Sequence, residues 1–221
     1  MTVTCECGKV FEGKEVMFNG KPLAPKFCPE CITSIRSAGE IQAKADRKAG
    51  LEESWKKFCP AAFQEFQTDR IPDKTMLAAI LRWKYGPRGL MISGLTRAGK
   101  TRSAWQLLQR EHFLNRTTAK VTGMDVMLYV EALMKEDADT GGWISERANA
   151  DLLLLDDCFK AKMTPRAEEA LFAIVDHRTQ HGLPMIVTLN DSVDSLLPRL
   201  SDDRGAPLVA RLKEFCEVLK V

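Results

Sequence analysis

The sequence predicts an α/β fold built on a parallel sheet, with a small cysteine-bearing segment in front of it. From about residue 70 onward, short apolar runs alternate with longer stretches whose apolar residues recur at helical spacing, which is the pattern of a parallel α/β sheet. One run leads into a glycine-rich loop at residues 94–101, and another, at 151–155, is apolar after its first residue, as expected for a buried central strand. Four cysteines among the first 31 residues set the amino-terminal segment apart.

The predicted elements follow in a regular order along the chain. In the cysteine-bearing segment, Asn19-Gly20 is typical of a tight hairpin turn. A proline-free stretch with apolar residues at near-helical spacing predicts a helix at 35–58, which Pro60 ends. Strands are predicted at 89–93, 119–122, 151–155, 184–189 and 215–219. Helices are predicted at 101–115, 124–134, 165–181 and 208–213.

Length, composition and charge limit the class of protein. The chain has 221 residues, of which 45% are hydrophobic and 28% charged, and its formal net charge is +2. These values are ordinary for a globular protein with one medium domain and a small appendage. No apolar run approaches the roughly 20 residues of a membrane helix, and Cys5 and Cys7 interrupt any signal-peptide pattern. We therefore expect a cytoplasmic protein with no membrane partner.

Residues 94–101 fit the phosphate-binding pattern G-x-x-x-x-G-K-[ST], between a predicted strand and a predicted helix. The glycines let the backbone wrap around phosphate with its N–H groups pointing inward. Lys100 would supply a cation to the β- and γ-phosphates, and the Thr101 hydroxyl would be a Mg²⁺ ligand. We therefore predict an ATP site. Its nucleotide-binding residues would be Gly94, Leu95, Thr96, Arg97, Ala98, Gly99, Lys100, Thr101, Arg102 and Asp156.

Polar residues that follow two other strands complete the predicted site. Asp156 and Asp157 come directly after the apolar strand at 151–155, and ligands bind beyond the carboxyl ends of parallel strands. Asp156 would therefore face Mg²⁺, and Asp157 would orient or deprotonate the attacking water. Asn190 ends the strand at 184–189 and should emerge at the same edge. The alternative for the aspartates is an acidic loop after a core strand.

Two arginines near the end of the chain are candidates for an arginine finger, which stabilises phosphoryl charge in the transition state. Arg211 lies on the otherwise apolar stretch 208–212, and its position suggests that it acts on ATP bound to an adjacent subunit. Arg204 is the second candidate, for which a salt bridge or a solvated side chain is an equally good interpretation.

The order of these elements resembles that of the bacterial helicase-loader branch of AAA+ ATPases, the DnaC/DnaI group, and of the related IstB transposition ATPases. The resemblance covers about residues 58–221, and its carriers are 94–101, 151–157, 174–178, 188–190 and 208–212. It implies a five-stranded parallel sheet, a sensor 1 role for Asn190, an arginine-finger role for Arg211 and a contribution of Arg178 to the subunit contact. It also implies oligomers that bind single-stranded DNA and load a hexameric replicative helicase.

The sequence departs from that family in three places. Many AAA+ proteins have glycine where this chain has Arg97, and most have glutamate where it has Asp157, so hydrolysis could be slow. The sequence stops soon after the strand at 215–219, and we expect neither a carboxy-terminal helical lid nor its sensor 2 arginine. Small loaders of this kind are frequent in phages and mobile elements.

The amino-terminal cysteines are expected to bind zinc. Cys5 and Cys7 form a C-x-C pair, and Cys28 and Cys31 form a C-x-x-C pair. Four thiolates suit a closed, structural zinc site, which would supply folding energy that so small a segment lacks. A redox or disulfide pair is the alternative, which a cytoplasmic setting disfavours. The other three cysteines are expected to be small core residues: Cys59, Cys158 and Cys216.

These inferences give three predicted regions, which are a zinc-binding module at 1–34, a helical linker at 35–69 and an AAA+ ATPase domain at 70–221. The favoured function is an ATP-dependent helicase loader whose zinc module contacts a partner protein or DNA. The first alternative is an IstB-like regulator that delivers a transposase to target DNA. Two others are a monomeric P-loop kinase and a zinc-bearing adaptor that binds ATP but barely hydrolyses it.

Overall fold

The structure is a computed structural model, and it describes all residues except 19–20, 24, 66, 135–138 and 160–162. The chain divides into two compact units, Met1–Glu53 and Ser54–Val221.

The first unit contains two antiparallel strand pairs and most of a long helix. Strand β1 (Thr2–Thr4) pairs with β2 (Val10–Glu12), and β3 (Val16–Phe18) pairs with β4 (Lys21–Leu23). The turn predicted at Asn19-Gly20 lies outside the described residues.

Helix α1 (Pro29–Phe58) begins earlier than the residue 35 that the sequence pattern indicates. Proline is favoured at the first position of a helix because its missing N–H would have no helical partner there. Cys31 therefore lies in the first turn of α1, and the region boundary predicted at residue 34 falls inside this helix. Where the functional modules begin and end stays a prediction.

The second unit is built on the predicted parallel sheet, which is confirmed and has five strands. They are β5 (Gly89–Ser93), β6 (Thr118–Thr122), β7 (Leu152–Asp156), β8 (Met185–Leu189) and β9 (Cys216–Lys220). Their order across the sheet is β6-β7-β8-β5-β9, and every neighbouring pair is parallel. The carboxyl ends of β5, β7 and β8 therefore lie side by side, and the polar residues that follow them come close together.

Helices cover both faces of this sheet. They are α2 (Lys74–Arg82), α3 (Lys100–Phe113), α4 (Gly123–Met134), α5 (Thr140–Asn149), α6 (Pro165–His181) and α7 (Asp202–Phe215). Alternate residues of β7 enter two separate cores, because successive strand side chains point to opposite faces. Leu153 and Leu155 pack in the core that includes α6 and α7, whereas Leu152 and Leu154 pack in the one that includes α2 and α3. None of the described helices is long and apolar enough to cross a membrane.

Besides α1, three helices differ clearly from the sequence prediction. Helices α2 and α5 are absent from it, although each begins with an aspartate cap: Asp73 accepts from the N–H of Met76, and Asp139 accepts from the N–H of Gly142. Helix α7 begins at Asp202 rather than at residue 208, and it contains Pro207, although proline usually interrupts a helix.

Arg178 is not available to a neighbouring subunit, so its implied role in the subunit contact is wrong. The side chain is fully buried, with a relative exposure of 0%. Its guanidinium donates hydrogen bonds of 2.6–3.4 Å to the backbone carbonyls of Arg147, Ala148, Ala150, Asp151 and Pro184. Burial lowers its pKa to about 10, so it stays charged at neutral pH. Since the last carbonyls of a helix have no helical partners, Arg178 serves as a buried cap for the end of α5.

Candidate nucleotide site and cysteine cluster

The phosphate-binding loop joins β5 to α3, and two glycines set its path. Gly94 has a φ of +148°, and a Cβ there would overlap the backbone carbonyl of Val221. Gly99 has a φ of +93° and is the residue that precedes α3. Both conformations are open to glycine and strained for other residues, which explains why these two positions of the motif need it.

Lys100 lies at the start of α3, and its ammonium group faces the carboxyl edge of the sheet. Its Nζ donates to the carbonyl oxygens of Gly94 at 2.8 Å and Leu95 at 2.7 Å, and to Asn190 Oδ1 at 3.0 Å. Burial lowers the pKa of Lys100, while the nearby carboxylates of Asp157 and Asp156 oppose that change. The residue thus holds a buried positive charge at the predicted phosphate position.

The two predicted Mg²⁺ ligands lie within hydrogen-bonding distance of each other. Thr101 Oγ1 donates to Asp156 Oδ1 at 2.9 Å, and Thr188 Oγ1 donates to the same oxygen at 2.7 Å. Burial raises the pKa of Asp156, and the two hydroxyl donors oppose this by stabilising the carboxylate. A hydroxyl and a carboxylate are the oxygen ligands with which proteins hold Mg²⁺ beside bound phosphates, so the donor set fits that ion.

Asp157 and Asn190 form a second pair beside the first. Asn190 Nδ2 donates to both carboxylate oxygens of Asp157, each at 2.9 Å. Since Asn190 Oδ1 also accepts from Lys100, the amide connects the lysine to the second aspartate. Asp157 has a left-handed backbone with a φ of +52°, and its N–H donates to Thr188 Oγ1 at 3.0 Å.

Thr188 was absent from the predicted site residues, although the sequence held a signal for it. Thr188 lies on β8, two residues before Asn190, which directly follows that strand. Residues two apart in an extended chain point to the same side, so the two side chains are expected to lie near each other. In the sheet, Thr188 is paired with Asp156. That pairing depends on the register between β7 and β8, which sequence spacing alone does not specify.

Arg102 and Arg211, which are also predicted site residues, make no hydrogen bond or ion pair to this group among the described residues. The guanidinium of Arg102 lies 5.4 Å from the ring centroid of Phe63. Arg211 is on α7, where it pairs with Asp176 at 2.6 Å and lies 4.9 Å from the centroid of Phe172. About a third of the Arg211 side chain is exposed. Its role as a finger stays a prediction.

Arg97 is exposed and has a left-handed backbone with a φ of +68°. Glycine, which many AAA+ proteins have at this position, adopts that conformation readily. We expect Arg97→Gly to raise the free energy of unfolding by about 1 kcal/mol, because glycine adopts this conformation without the clash of a Cβ. The measurement is chemical denaturation followed by tryptophan fluorescence, since all four tryptophans lie in Ser54–Val221. Thr96→Gly is the matched control, because Thr96 is exposed without a positive φ, and it should lower stability. Equal losses in both variants would contradict the strain at Arg97.

The amino-terminal cysteines form a cluster whose geometry fits zinc. The Sγ atoms of Cys5, Cys7, Cys28 and Cys31 all lie within 4.8 Å of one another, and those of Cys7 and Cys28 are 3.9 Å apart. Four zinc–sulfur bonds of about 2.3 Å in a tetrahedron place sulfur atoms about 3.8 Å apart. The backbone N–H groups of Cys7 and Cys28 lower the pKa of the Cys5 thiol to about 6. None of these sulfurs is in a disulfide.

Comparison with known proteins adds evidence on the fold. No protein-family model and no curated protein matches the sequence. A crystal structure of DnaI matches with 16% identity and a TM-score of 0.59, covering 74% of this chain and 94% of that one. The DnaC helicase loader matches with 22% identity and a TM-score of 0.55, covering 66% and 86%. AMPPCP-bound DnaA from Aquifex aeolicus matches with 19% identity and a TM-score of 0.54, covering 71% and 47%.

These likenesses establish the fold alone, a five-stranded parallel sheet covered by helices, arranged as the sequence predicts for an AAA+ P-loop core. The chain spans about half the length of the two AMPPCP-bound DnaA chains that it matches. It spans most of the DnaC and DnaI chains.

Proposed function

We propose that this chain binds and hydrolyses Mg·ATP and uses the reaction to load a replicative DNA helicase. The observation that carries the ATPase part is the convergence of a lysine, a threonine, two aspartates and an asparagine at one edge of the sheet. These residues are Lys100, Thr101, Asp156, Asp157 and Asn190. Together these residues can bind phosphate, hold Mg²⁺ and position the attacking water, which are the tasks that phosphoryl transfer to water requires from one subunit.

Each residue of the site has a distinct proposed task. Lys100 and the loop N–H groups bind the phosphates, while Thr101 and Asp156 hold Mg²⁺. Bound Mg²⁺ would neutralise charge that builds up on the phosphate oxygens. Asp157 orients the water whose oxygen bonds to the γ-phosphorus as the bond from that phosphorus to the ADP oxygen breaks. Asn190 Nδ2 engages both Asp157 oxygens and would hold this carboxylate in place, while each oxygen keeps a second acceptor position for water. We expect slow turnover by isolated subunits, because Asp157 is one methylene shorter than the glutamate that most AAA+ ATPases have at this position.

Self-association would complete the site with Arg211 from a neighbouring subunit. Arg211→Ala is expected to leave ATP affinity unchanged and to reduce hydrolysis about 1,000-fold, since a finger stabilises charge in the transition state. Mixing this variant with Lys100→Ala should restore part of the activity, because the Lys100 variant can supply Arg211 to its neighbour's intact phosphate site. The measurement is the steady-state release of phosphate from each variant alone and from the mixture.

Lys213→Ala is the matched control for this experiment, because Lys213 is an exposed cation of the same helix that pairs with Asp194. It should hydrolyse ATP at the unaltered rate. Normal hydrolysis by Arg211→Ala would remove Arg211 from the mechanism, and Arg204 would be tested next.

The loader role is supported by the lengths over which the solved structures match. The likeness extends over 94% of DnaI and 86% of the DnaC helicase loader, but only about half of DnaA. Single-stranded DNA is proposed as a second partner, because a matching DnaA structure contains both AMPPCP and single-stranded DNA.

We further propose roles for the rest of the chain. Residues 1–34 hold zinc and contact the helicase or DNA, and residues 35–69 form the linker. The protein works in the cytoplasm of a bacterial host, in a phage or mobile-element setting.

A reconstituted loading reaction tests this function. The reaction combines the chain, ATP, a hexameric replicative helicase and circular single-stranded DNA coated with its binding protein, and it measures duplex unwinding. The proposal requires unwinding that depends on both the chain and ATP. Absence of stimulation by an ATPase-active chain would overturn the loader role, and stimulation of a transposase in a parallel reaction would favour the IstB-like alternative.

A further inference from the structure

We infer that Thr188 is a positioning residue for the proposed hydrolysis, with one hydroxyl that fixes both aspartates at the end of β7. The inference rests on the proposed ATPase function and assigns to Thr188 a role that the phosphate-binding motif does not contain. Thr188 is 1% exposed and lies on β8, paired in register with Asp156.

The hydroxyl makes one bond to each aspartate. It donates its single proton to Asp156 Oδ1 at 2.7 Å and accepts the backbone N–H of Asp157 at 3.0 Å. A hydroxyl has one donor and two acceptor positions, so these two bonds are compatible and together fix its orientation. Thr101 donates to the same Oδ1. Within the described part of the chain, Oδ2 of Asp156 accepts no hydrogen bond, which leaves that oxygen for a cation.

The bond to Asp157 matters because the backbone there is left-handed. A φ of +52° is uncommon for a residue with a side chain, although aspartate tolerates it better than most. The N–H bond to Thr188 holds this turn, and the turn directs the Asp157 carboxylate to the amide of Asn190. Aspartate is one methylene shorter than glutamate, so the path of the backbone decides where its carboxylate can reach.

A purely structural role for Thr188 predicts different results from a positioning role. If the hydroxyl only provided hydrogen-bond partners for buried polar groups, its loss would lower the stability of the protein and leave the turnover of the folded protein unchanged. If it positions the aspartates, its loss should reduce turnover and weaken the effect of Mg²⁺ on ATP binding. ATP binding without Mg²⁺ should be kept, since Lys100 and the loop are not touched.

The test uses the full chain with Thr188→Val, which keeps the shape and removes the hydroxyl, and Thr188→Ser, which restores it. We expect Thr188→Val to lower kcat roughly 10- to 100-fold, the loss that corresponds to a hydrogen bond to a charged group. Its KM for ATP should change less than about threefold, and Thr188→Ser should recover most of kcat. The gain in ATP affinity on adding Mg²⁺, measured by calorimetry, should shrink in the valine variant.

Thr122→Val is the matched control. Thr122 lies at the same sheet edge, and its hydroxyl also bonds a carboxylate, that of Asp125, which is not part of the proposed site. It should leave both kcat and the Mg²⁺ effect unchanged.

Wild-type kcat and an undiminished Mg²⁺ effect in Thr188→Val would overturn the inference. If Thr188→Val does not fold, Thr188→Cys takes its place, because a thiol is a weak donor of similar size, and wild-type turnover in that variant would overturn the inference equally. A wild-type chain with no ATPase activity would instead refute the proposed function. The Mg²⁺ effect on ATP binding would then still decide whether Thr188 positions Asp156.

Discussion

Lys100→Ala is expected to abolish ATP binding, with affinity reduced at least about 100-fold and no measurable hydrolysis. The change removes charge-assisted hydrogen bonds to two phosphate groups, which together contribute roughly 3 kcal/mol or more. The fold should survive, because burial already disfavours the ammonium and lowers its pKa. Binding of a fluorescent ATP analogue to the variant is the direct measurement.

The control for this prediction is Lys84→Ala, which removes an exposed lysine that precedes β5. That variant should bind ATP as the unaltered chain does. Unchanged ATP affinity in Lys100→Ala would refute the assignment of the phosphate site, whatever the hydrolysis rate of the variant.

The second large effect is expected at the cysteine cluster, where Cys28→Ser should abolish zinc binding. Cys28 is 1% exposed and lies next to the first residue of α1, with its sulfur 3.9 Å from that of Cys7. Structural zinc sites in small domains contribute about 10–16 kcal/mol of binding free energy, so strands β1 and β2 should lose their order without the metal. Metal analysis should find about one zinc per unaltered chain and almost none in the variant.

Cys59→Ser supplies the matched control, since Cys59 is a buried cysteine of the other unit, outside the cluster. Burial raises the pKa of its thiol to about 12, so it is not a thiolate at neutral pH. The control variant should keep its zinc. An unaltered chain purified without zinc, and unable to take it up under reducing conditions, would contradict the prediction.

Much of the core fold could be predicted because its signals are local. Strand β5 and helix α6 have the predicted limits, 89–93 and 165–181. Helix α6 begins after Thr164, whose side chain accepts the N–H of Ala167, and it ends at Gly182 in a left-handed conformation. Caps of this kind act within one turn of the chain and can therefore be read from sequence.

Other features depend on contacts between residues far apart in sequence. The site pair Thr101 and Asp156 was predictable, because each belongs to a motif with a known place at the sheet edge. The role of Thr188 was not, because it requires the register of β7 against β8. The cysteines were predictable in both units. Cys158 and Cys216 are buried core residues, as predicted from their apolar neighbours, and the four amino-terminal cysteines lie together, as their C-x-C and C-x-x-C spacing indicated.

The burial of Arg178 changes what can be inferred when a related protein has the same residues as the stretch 174–178. This stretch is one of those that carry the helicase-loader resemblance, yet Arg178 donates its hydrogen bonds to backbone carbonyls in the interior. A distant homologue that keeps this arginine has kept a way of joining α5 to the sheet, and it need not have kept ATP hydrolysis. In a search for relatives, residue 178 is therefore a marker of architecture, and the residues that follow β7 and β8 are the markers of chemistry.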